Sequence, residues 1–532
     1  MSGATGTIAK GAAFARPGTS LRARLRQIAT IGGLGVVCVA LLAITGGNPA
    51  AALAPLLVLA AAWVVVRIPL RWTLTALLFV LLAVDLNSDA QNLWHTPLHV
   101  LNDALIDNLG NTIRVPAIKI SGLEAVLLGM VTLILYRRWT GSTLDLEGQE
   151  QTAGVLGDMV LVWLATMVVC LGNGVLHGAK AEVLIWHARP VIGYALFFAV
   201  CQASYRGRQD LRTVGSVIVA AALVKSALAA YFWFIVRPRL GIDLIKIEYA
   251  TNHWDSITFA TACVIVLVSL MEEGRKRVGL RLSLLPLLAV GMVANNRRLV
   301  WVALVLALGV VYAMSPWRGW KRSFTKLTLL LIPVVGLYLA VGWDKSAGIF
   351  GPAKMVRSVI DSKSDRSTWD RDVENWNMIL SLQPEPILGR GFGTEYTEFI
   401  VGDDISAGFP MFRSVPHNAL LGWFLFCGVL GFTGLWSLWV ALVYLAARVY
   451  RRATVPLDRV AALTSVSIVM IVGAVAYGDM GLLSVQAKVL IGLALAFIGK
   501  LAVATGAWPR RQPRRSLQVT HARPGARGAR AT

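Results

Sequence analysis

The chain is a succession of long apolar runs separated by short polar connectors. Each run is long enough to cross a hydrocarbon core of roughly 30 Å, which takes about 20 helical residues. About fourteen such runs predict an all-α, polytopic integral membrane protein. Their approximate bounds are 29–46, 51–66, 70–86, 118–136, 155–172, 190–205, 213–236, 256–272, 280–296, 299–315, 327–343, 418–447, 460–477 and 488–505.

The composition agrees with this pattern. Hydrophobic residues make up 56% of the 532 residues and charged residues 15%, and the mean hydropathy is +0.63, outside the range of soluble globular domains. The first apolar run follows the polar, basic segment 1–28. A cleaved signal peptide has a shorter basic segment and a small-residue cleavage site, so an uncleaved first span is expected.

Lysine and arginine set the expected orientation, because short cytoplasmic loops retain positive charge. With the N-terminus in the cytoplasm, the basic clusters all fall on the cytoplasmic side, and an even number of spans returns the C-terminus there. We therefore interpret the net charge of +22 as a signal that sets the membrane topology and as a source of attraction to anionic lipid. No nucleic-acid partner is expected. These clusters are Arg22, Arg24, Arg26, Arg67, Arg71, Arg137, Arg138, Arg206, Arg208, Arg212, Arg275, Lys276, Arg277, Arg318, Lys321, Arg322, Arg448, Arg451, Arg452 and the tail.

Five segments follow from this topology. They are a basic cytoplasmic tail (1–28), about eleven helices of a transmembrane bundle (29–343), a long extracytoplasmic loop (344–417), the C-terminal transmembrane helices (418–505) and a second basic cytoplasmic tail (506–532).

Three polar segments on the predicted outer face are larger than simple connectors. They are 87–117, 237–255 and 344–417, and function is expected in the last because it is the longest. The first carries Asp89, Asp103 and Asp107, and the second carries Arg237, Arg239, His253 and Asp255.

The loop 344–417 has internal order. Apolar positions recur at helical spacing between Asp370 and Leu382, which predicts an amphipathic helix, lying at the membrane surface, that ends before Pro384. The following glycines of 389–393 permit a tight turn with close backbone approach to a neighbour. A dinucleotide-binding turn follows a strand and precedes a helix. Neither is predicted here, so this turn is not expected to bind a dinucleotide.

Several kinds of chemistry have no support in the sequence. A phosphate-binding loop of the GxxxxGK[ST] type, an HExxH motif and a paired CxxC motif are all missing from the 532 residues, and no cofactor or metal is expected. The five cysteines fall inside predicted spans and are interpreted as small apolar core residues. Lys225 lies in the middle of the seventh span, where an ammonium costs at least about 2.5–3.5 kcal/mol, so it is expected to face protein or a water-filled cavity.

An ordered set of residues within about 290–435 resembles the O-antigen ligase and O-antigen polymerase superfamily. It comprises the arginines of AsnAsnArgArgLeuValTrp (295–301), an Arg-x4-Trp element (371–376), Pro386 with the glycine turn, and ProHisAsn (416–418) leading into GlyValLeuGlyPhe (428–432). The sequence departs from the family pattern in two ways. The first arginine of the pattern is a doublet here, Arg297 and Arg298, and either Arg366 or Arg371 could be the arginine of its second element.

The resemblance implies a GT-C-like membrane enzyme of the bacterial inner membrane. It transfers a glycan from a polyprenyl-pyrophosphate-linked donor to a hydroxyl of a glycan or lipid-linked acceptor at the periplasmic face, without a metal. His417 is then the general base and Asn418 orients it or a sugar hydroxyl, while Arg297, Arg298, Arg366 and Arg371 hold the pyrophosphate. Further contacts to donor or acceptor are expected from Arg237, Arg239, His253, Asp255, Arg390 and Trp376.

Simpler interpretations stay open for these residues. Asn418 is also a suitable helix cap, Arg297 and Arg298 are suitable membrane anchors, and Arg366 and Arg371 suit a solvated helix face. Trp254, Trp369 and Trp376 fit either sugar stacking or an interfacial aromatic belt. For the whole protein, the polymerase interpretation stands beside a ligase that acts on lipid A core or protein, and beside a transporter of the lipid-linked glycan.

Overall fold

The all-α prediction is confirmed by the computed structural model of the protein. The structure describes residues 21–44, 47, 49–83, 99–106, 109, 120–145, 147–239, 250–273, 278–295, 297–317, 319–345, 350, 353, 356–357, 366–402, 406 and 409–510. Within these ranges the chain forms helices, turns and loops and contains no β-strand. Asp89, Asp107 and the C-terminal tail after Arg510 lie outside the described residues.

Two compact units divide the chain after Pro69. The first contains α1 (Leu21–Ile44) and α2 (Pro49–Arg67), which pack against each other. They correspond to the predicted spans 29–46 and 51–66.

The second unit runs from Leu70 onward and carries the remaining helices. Every other predicted span coincides with one of them, and α4 and α13 lie in predicted polar segments. The helices are α3 (Leu70–Ala83), α4 (His99–Ile106), α5 (Gly122–Trp139), α6 (Gly154–Leu176), α7 (Ala181–Ser204), α8 (Leu211–Tyr231), α9 (Asp255–Glu272), α10 (Val278–Asn295), α11 (Arg298–Met314), α12 (Gly319–Gly342), α13 (Arg366–Leu382), α14 (Ala419–Arg452), α15 (Pro456–Gly478) and α16 (Val485–Ala504).

The capacity to cross a membrane is concentrated in the second unit. Among the described residues, 8 helices are both long and apolar enough to do so, and four shorter apolar helices cover further predicted spans. In α16, 89% of an 18-residue apolar stretch is buried, whereas none of the corresponding stretch of α12 is buried. An apolar helix with no buried face suits a position against lipid.

The core of this unit is built around α14 and α15. Helix α14 packs against α15 and α6, and α15 also packs against α9 and α11. Helix α16 packs against α7, and the pair α8 and α10 joins α9 on another side. The helices that contribute residues to the site described below are therefore neighbours in this core.

A break in α14 departs from the predicted uninterrupted span 418–447. Gly428 has φ 61° and ψ −169°, a conformation that ends regular helix geometry and favours glycine. The backbone groups freed by the break are paired with the loop after α13: the N–H groups of Val429 and Leu430 donate to the carbonyls of Pro386 and Ile387, at 2.9 and 3.1 Å.

The glycine turn 389–393 fits into this break. The sequence predicted that the turn closely approaches a neighbouring segment, and in the structure that segment is α14 together with α6. The N–H of Gly391 donates to the carbonyl of Phe426 at 2.8 Å, and the N–H of Phe392 donates to Cys170 at 2.9 Å. A Cβ on Gly391 would lie 2.2 Å from the backbone nitrogen of Gly174. Irregular backbone at membrane depth is tolerated only when protein satisfies it, and these contacts do so.

Lys225 faces protein, as predicted. Its ammonium forms a fully buried ion pair with Asp255, whose Oδ1 also accepts a hydrogen bond from the Gln486 amide at 3.2 Å. Pairing offsets the cost of a charge inside the bundle. The cysteines are free, and all but Cys38 are buried, in agreement with their interpretation as core residues.

Candidate functional site

Five helices meet around a cavity of about 370 Å³ at one end of the bundle. The starts of α9, α11 and α14, the end of α15 and one face of α13 contribute to it. We call it the arginine cavity. Its lining includes His253, Ser256, Arg297, Arg298, Ser367, Arg371, Asn375, Asn418, Tyr477 and Asp479.

The arginine pair at the start of α11 is held at this cavity by the helix geometry. Arg297 takes the extended conformation of the N-cap position, and Arg298 is the first helical residue. The Nη2 of Arg297 lies 3.1 Å from Nδ1 of His253, and Nε2 of that histidine lies 3.6 Å from Oδ2 of Asp479. The cavity thus combines guanidinium groups with a histidine and a carboxylate.

A second cavity, of about 410 Å³, lies on the other side of α13. We call it the histidine cavity, because His417 faces it. Ser367 and Arg371 line both cavities, so this part of α13 forms the wall between them. The lining of the histidine cavity also includes Arg366, Asp370, Glu374, Asn377, Tyr396, Glu398, Phe412 and His417.

His417 is held by Glu374 through two parts of the residue. The backbone N–H donates to Oε2 at 3.1 Å, and Nδ1 lies 3.3 Å from the same oxygen. Since a carboxylate only accepts, Nδ1 carries the proton in the neutral ring and Nε2 keeps a free lone pair. The Glu374 side chain is 8% exposed and that of His417 is 32% exposed, which leaves the imidazole accessible.

The surroundings raise the pKa of His417 above its ordinary value. The hydrogen bond with Glu374 is the largest cause, burial opposes it, and the charge of Glu374 adds to it. Arg371 lowers this pKa and Asp479 raises it, so residues of both cavities act on the imidazole.

Asn418 does cap α14, as the simpler interpretation held. Its Oδ1 accepts from the N–H of Leu421 at 3.1 Å. Its amide group also donates to Oδ1 of Asn375 at 3.0 Å, which ties the start of α14 to α13 at the rim of the arginine cavity.

His187 of α7 connects the glycine turn with the segment before His417. The N–H of Gly393 donates to Nδ1 of His187 at 2.8 Å. The other ring nitrogen, Nε2, therefore carries the proton and donates to the carbonyl of Ser414, 2.7 Å away. A buried imidazole thus fixes two loop segments against the bundle.

The remaining predicted contact residues line neither cavity. Arg237 lies over the ring of Trp233, 3.7 Å from its centroid, and Arg239 is exposed. Asp255 is occupied by the buried ion pair. Arg390 donates to Oγ1 of Thr397 at 3.0 Å, and Trp376 is 56% exposed.

Several residues of the site were not predicted from the sequence, among them Glu374, Asn375, Tyr477 and Asp479. Glu374 follows Arg371 by three residues on a predicted helix, a spacing that places two side chains on one face and offered a signal. Tyr477 and Asp479 lie at the end of α15, about sixty residues after His417, and only the tertiary fold brings them to the arginine cavity.

Together these features describe a polytopic all-α membrane protein with an arginine and histidine site at one end of its bundle. The family model described as O-antigen ligase matches residues 282–436. The match starts in α10 and ends in α14, and confirms the resemblance to the O-antigen ligase and O-antigen polymerase superfamily. A search of curated proteins found no match to the chain.

Proposed function

We propose that the protein is a polysaccharide polymerase, a metal-independent glycosyltransferase. Its donor is an oligosaccharide linked to polyprenyl pyrophosphate, and its acceptor is a glycan hydroxyl at the periplasmic face of the bacterial inner membrane. One observation carries the proposal: Arg297, Arg298 and Arg371 line one cavity, and Arg371 also borders the cavity that His417 faces.

The arginine cavity suits a pyrophosphate group. Guanidinium groups stay charged at any relevant pH and offer planar, paired donors that match phosphate oxygens. Arg297, Arg298 and Arg371 approach from two different helices, so they can contact both phosphates. Their charge would stabilise the departing pyrophosphate in the role that a divalent cation has elsewhere.

The transfer step follows from the position of the imidazole. The acceptor hydroxyl oxygen attacks the anomeric carbon of the donor sugar, and its proton passes to Nε2 of His417. The bond between the anomeric carbon and the phosphate oxygen breaks, and its electron pair leaves with the polyprenyl pyrophosphate. Glu374 holds Nδ1–H and stabilises the imidazolium that forms.

The distribution of charge along the helices supports a periplasmic site. In α11 and α15 the residues of the arginine cavity lie at one helix end, and basic residues such as Arg459 and Lys321 lie at or beyond the other. Positively charged helix ends favour the cytoplasm. With this proposed orientation, both termini would lie in the cytoplasm and the two cavities on the periplasmic side.

A ligase is the alternative that the description of the matching family supports. It would transfer the glycan to lipid A core or to a protein. The donor, the arginine cavity and the role of His417 would be unchanged, and only the acceptor would differ.

His417→Gln tests the proposed chemistry. Glutamine keeps a polar side chain of similar size but cannot act as a base near neutral pH, and Asn418 still caps α14. With purified protein in lipid nanodiscs, transfer from a polyprenyl-pyrophosphate-linked glycan should fall by roughly 10²–10⁴-fold at unchanged thermal stability.

The matched control is His177→Gln, because His177 is a half-exposed histidine that contacts Glu385 and lines neither cavity. It should transfer at the wild-type rate. Near-normal transfer by the His417 variant would reject the histidine as the base, and absence of transfer by the wild type would reject the proposed function.

A further inference from the structure

A further cavity lies far from the proposed transfer site and has no role in the steps above. It encloses about 520 Å³ between α5, α7 and the loop that precedes α6. We call it the α5–α7 cavity. In α7, His187 contacts the segment that leads to His417, whereas Gln202, about 22 Å further along the helix, lines the α5–α7 cavity. The cavity is therefore at the opposite end of α7 from that segment.

One wall of the α5–α7 cavity is apolar and opens outward. Val131, Ile134 and Leu135 of α5 form it, and the Leu135 side chain is 59% exposed. Trp139, the last residue of α5, is 86% exposed. Tryptophan concentrates at the headgroup level of a membrane. In a membrane-spanning bundle, this cavity therefore opens where lipid headgroups meet the hydrocarbon.

Two apolar stripes continue from the cavity along its helices. On α5, Leu128 is 49% exposed and precedes Leu135 by seven residues, which keeps both on one helix face. On α7, Ile185 and Ile192 precede Ala199 of the cavity lining by the same interval and are 49% and 40% exposed. Since α5 and α7 pack against each other, the two stripes form a surface that suits hydrocarbon chains.

The rest of the lining is polar. It contains the side-chain amides of Gln149, Gln151 and Gln202. The Gln149 amide donates to the carbonyl of Ala203. Gln151 and Gln202 have no side-chain hydrogen bond to another described residue, so their amides can bind a ligand.

The lining also holds one charge of each sign, Arg138 and Glu150. The preceding Arg137 is paired with Asp145, whereas Arg138 contacts no carboxylate in the part of the chain that the structure describes. The Glu150 carboxylate accepts a hydrogen bond from the backbone N–H of Arg208 at 3.3 Å. It forms no ion pair within the described ranges.

Two cations that lie near Glu150 are bound by other groups. The Arg208 guanidinium donates to Asp458 at 2.9 Å, and the Lys500 ammonium donates to the carbonyl of Tyr205. A ligand cation can therefore contact Glu150 without displacing an existing ion pair.

We infer that the α5–α7 cavity binds one membrane phospholipid whose headgroup carries both a phosphate and a primary ammonium. Arg138 binds the phosphate, and Glu150 accepts hydrogen bonds from the ammonium. The amides of Gln151 and Gln202 bind the remaining headgroup oxygens, and the acyl chains lie along the apolar stripes of α5 and α7.

The pair of opposite charges decides the headgroup class. A headgroup with a phosphate alone would satisfy Arg138 and bring a second negative charge towards Glu150, which is unfavourable at close range. A headgroup with both charges matches both residues. This inference goes beyond the proposed transfer reaction and does not depend on it.

Native mass spectrometry of the full-length protein in detergent tests the inference with three phospholipids that share their acyl chains. Phosphatidylethanolamine should bind about tenfold more tightly than phosphatidylglycerol, which has no cation. It should also bind more tightly than phosphatidylcholine, whose quaternary ammonium has no N–H to donate. Glycerophosphoethanolamine, the headgroup without acyl chains, should not compete at the same concentration.

Glu150→Gln should remove the preference for phosphatidylethanolamine over phosphatidylglycerol, because glutamine keeps the size of the side chain and its acceptor oxygen but not its charge. Arg138→Gln should weaken the binding of both lipids several-fold. Arg451→Gln is the control, because Arg451 is an exposed arginine at the end of α14 that does not line the cavity. It should bind all three lipids as the wild type does.

Equal affinity of the wild type for the three lipids would refute the assignment. So would an unchanged lipid preference in Glu150→Gln, since the preference would then arise elsewhere on the protein. Competition by glycerophosphoethanolamine would identify a soluble ligand and contradict the membrane lipid. If Glu150→Gln does not fold, Gln202→Leu serves in its place, and unchanged affinity for phosphatidylethanolamine in that variant would overturn the inference.

Discussion

At the scale of single residues, the pairing of His417 with Glu374 is the feature that most changes the expected chemistry. A histidine beside a carboxylate is both oriented and more basic than a free one. The ProHisAsn motif and the predicted start of a span pointed to His417. Glu374 lies 43 residues earlier in the same loop, and its polar side chain gave no sign from hydropathy that it is buried.

Glu374→Gln should move the acid limb of the pH–rate profile to lower pH. In the proposed mechanism the neutral imidazole is the base, and it predominates only above a pKa that Glu374 raises. Removing the carboxylate charge lowers that pKa, so the midpoint of kcat/KM against pH should fall. The rate on the plateau should also fall several-fold, because the ring loses its orienting partner.

Glu395→Gln provides the comparison for this profile. Glu395 is exposed, lies 3.4 Å from Lys180 and lines neither cavity. The midpoint of the pH–rate profile of the Glu395→Gln variant should equal that of the wild type. An unchanged midpoint in the Glu374 variant would show that a group other than His417 titrates.

At the scale of elements, hydropathy predicted the helices well because apolar length is what spans a membrane. It did not predict the break in α14. Gly428 lies inside an apolar run, and hydropathy carries no information about a positive φ. The loop segment that fills the break precedes it by about forty residues, so only tertiary contact shows why the helix can be interrupted there.

Gly174→Ala should destabilise the contact between α6 and the inserted loop. A Cβ at Gly174 would lie 1.9 Å from the carbonyl oxygen of Phe392, which is backbone and cannot rotate away. The expected loss is about 1–3 kcal/mol of unfolding free energy, measured as a lower thermal midpoint in detergent.

Gly172→Ala is a matched control on the same helix. A Cβ at Gly172 has no neighbouring atom within 4 Å, so stability should be unchanged or slightly higher, since alanine favours helix. Equal midpoints for the two variants would argue against the tight seating of the loop in the break.

At the scale of the whole molecule, the helices of the second unit bring the site residues to one end. Helices α9, α11 and α15 contribute to the arginine cavity, and at the opposite end Glu272 of α9 lies 3.6 Å from Arg459 and 2.9 Å from the Tyr450 hydroxyl. The sequence predicted this separation through its basic connectors. It did not predict that α13 would divide the site into two cavities, because that depends on how α13 packs on α14.

The glycolipid profile of a deletion strain tests the central claim most directly, because it reads the function of the whole protein. Loss of a polymerase should leave single repeat units on their acceptor, and restoring the gene should restore long chains while its His417→Gln variant should not. Long chains accumulating on the polyprenyl carrier would instead identify a ligase. Units retained on the cytoplasmic leaflet would identify a transporter and contradict the account.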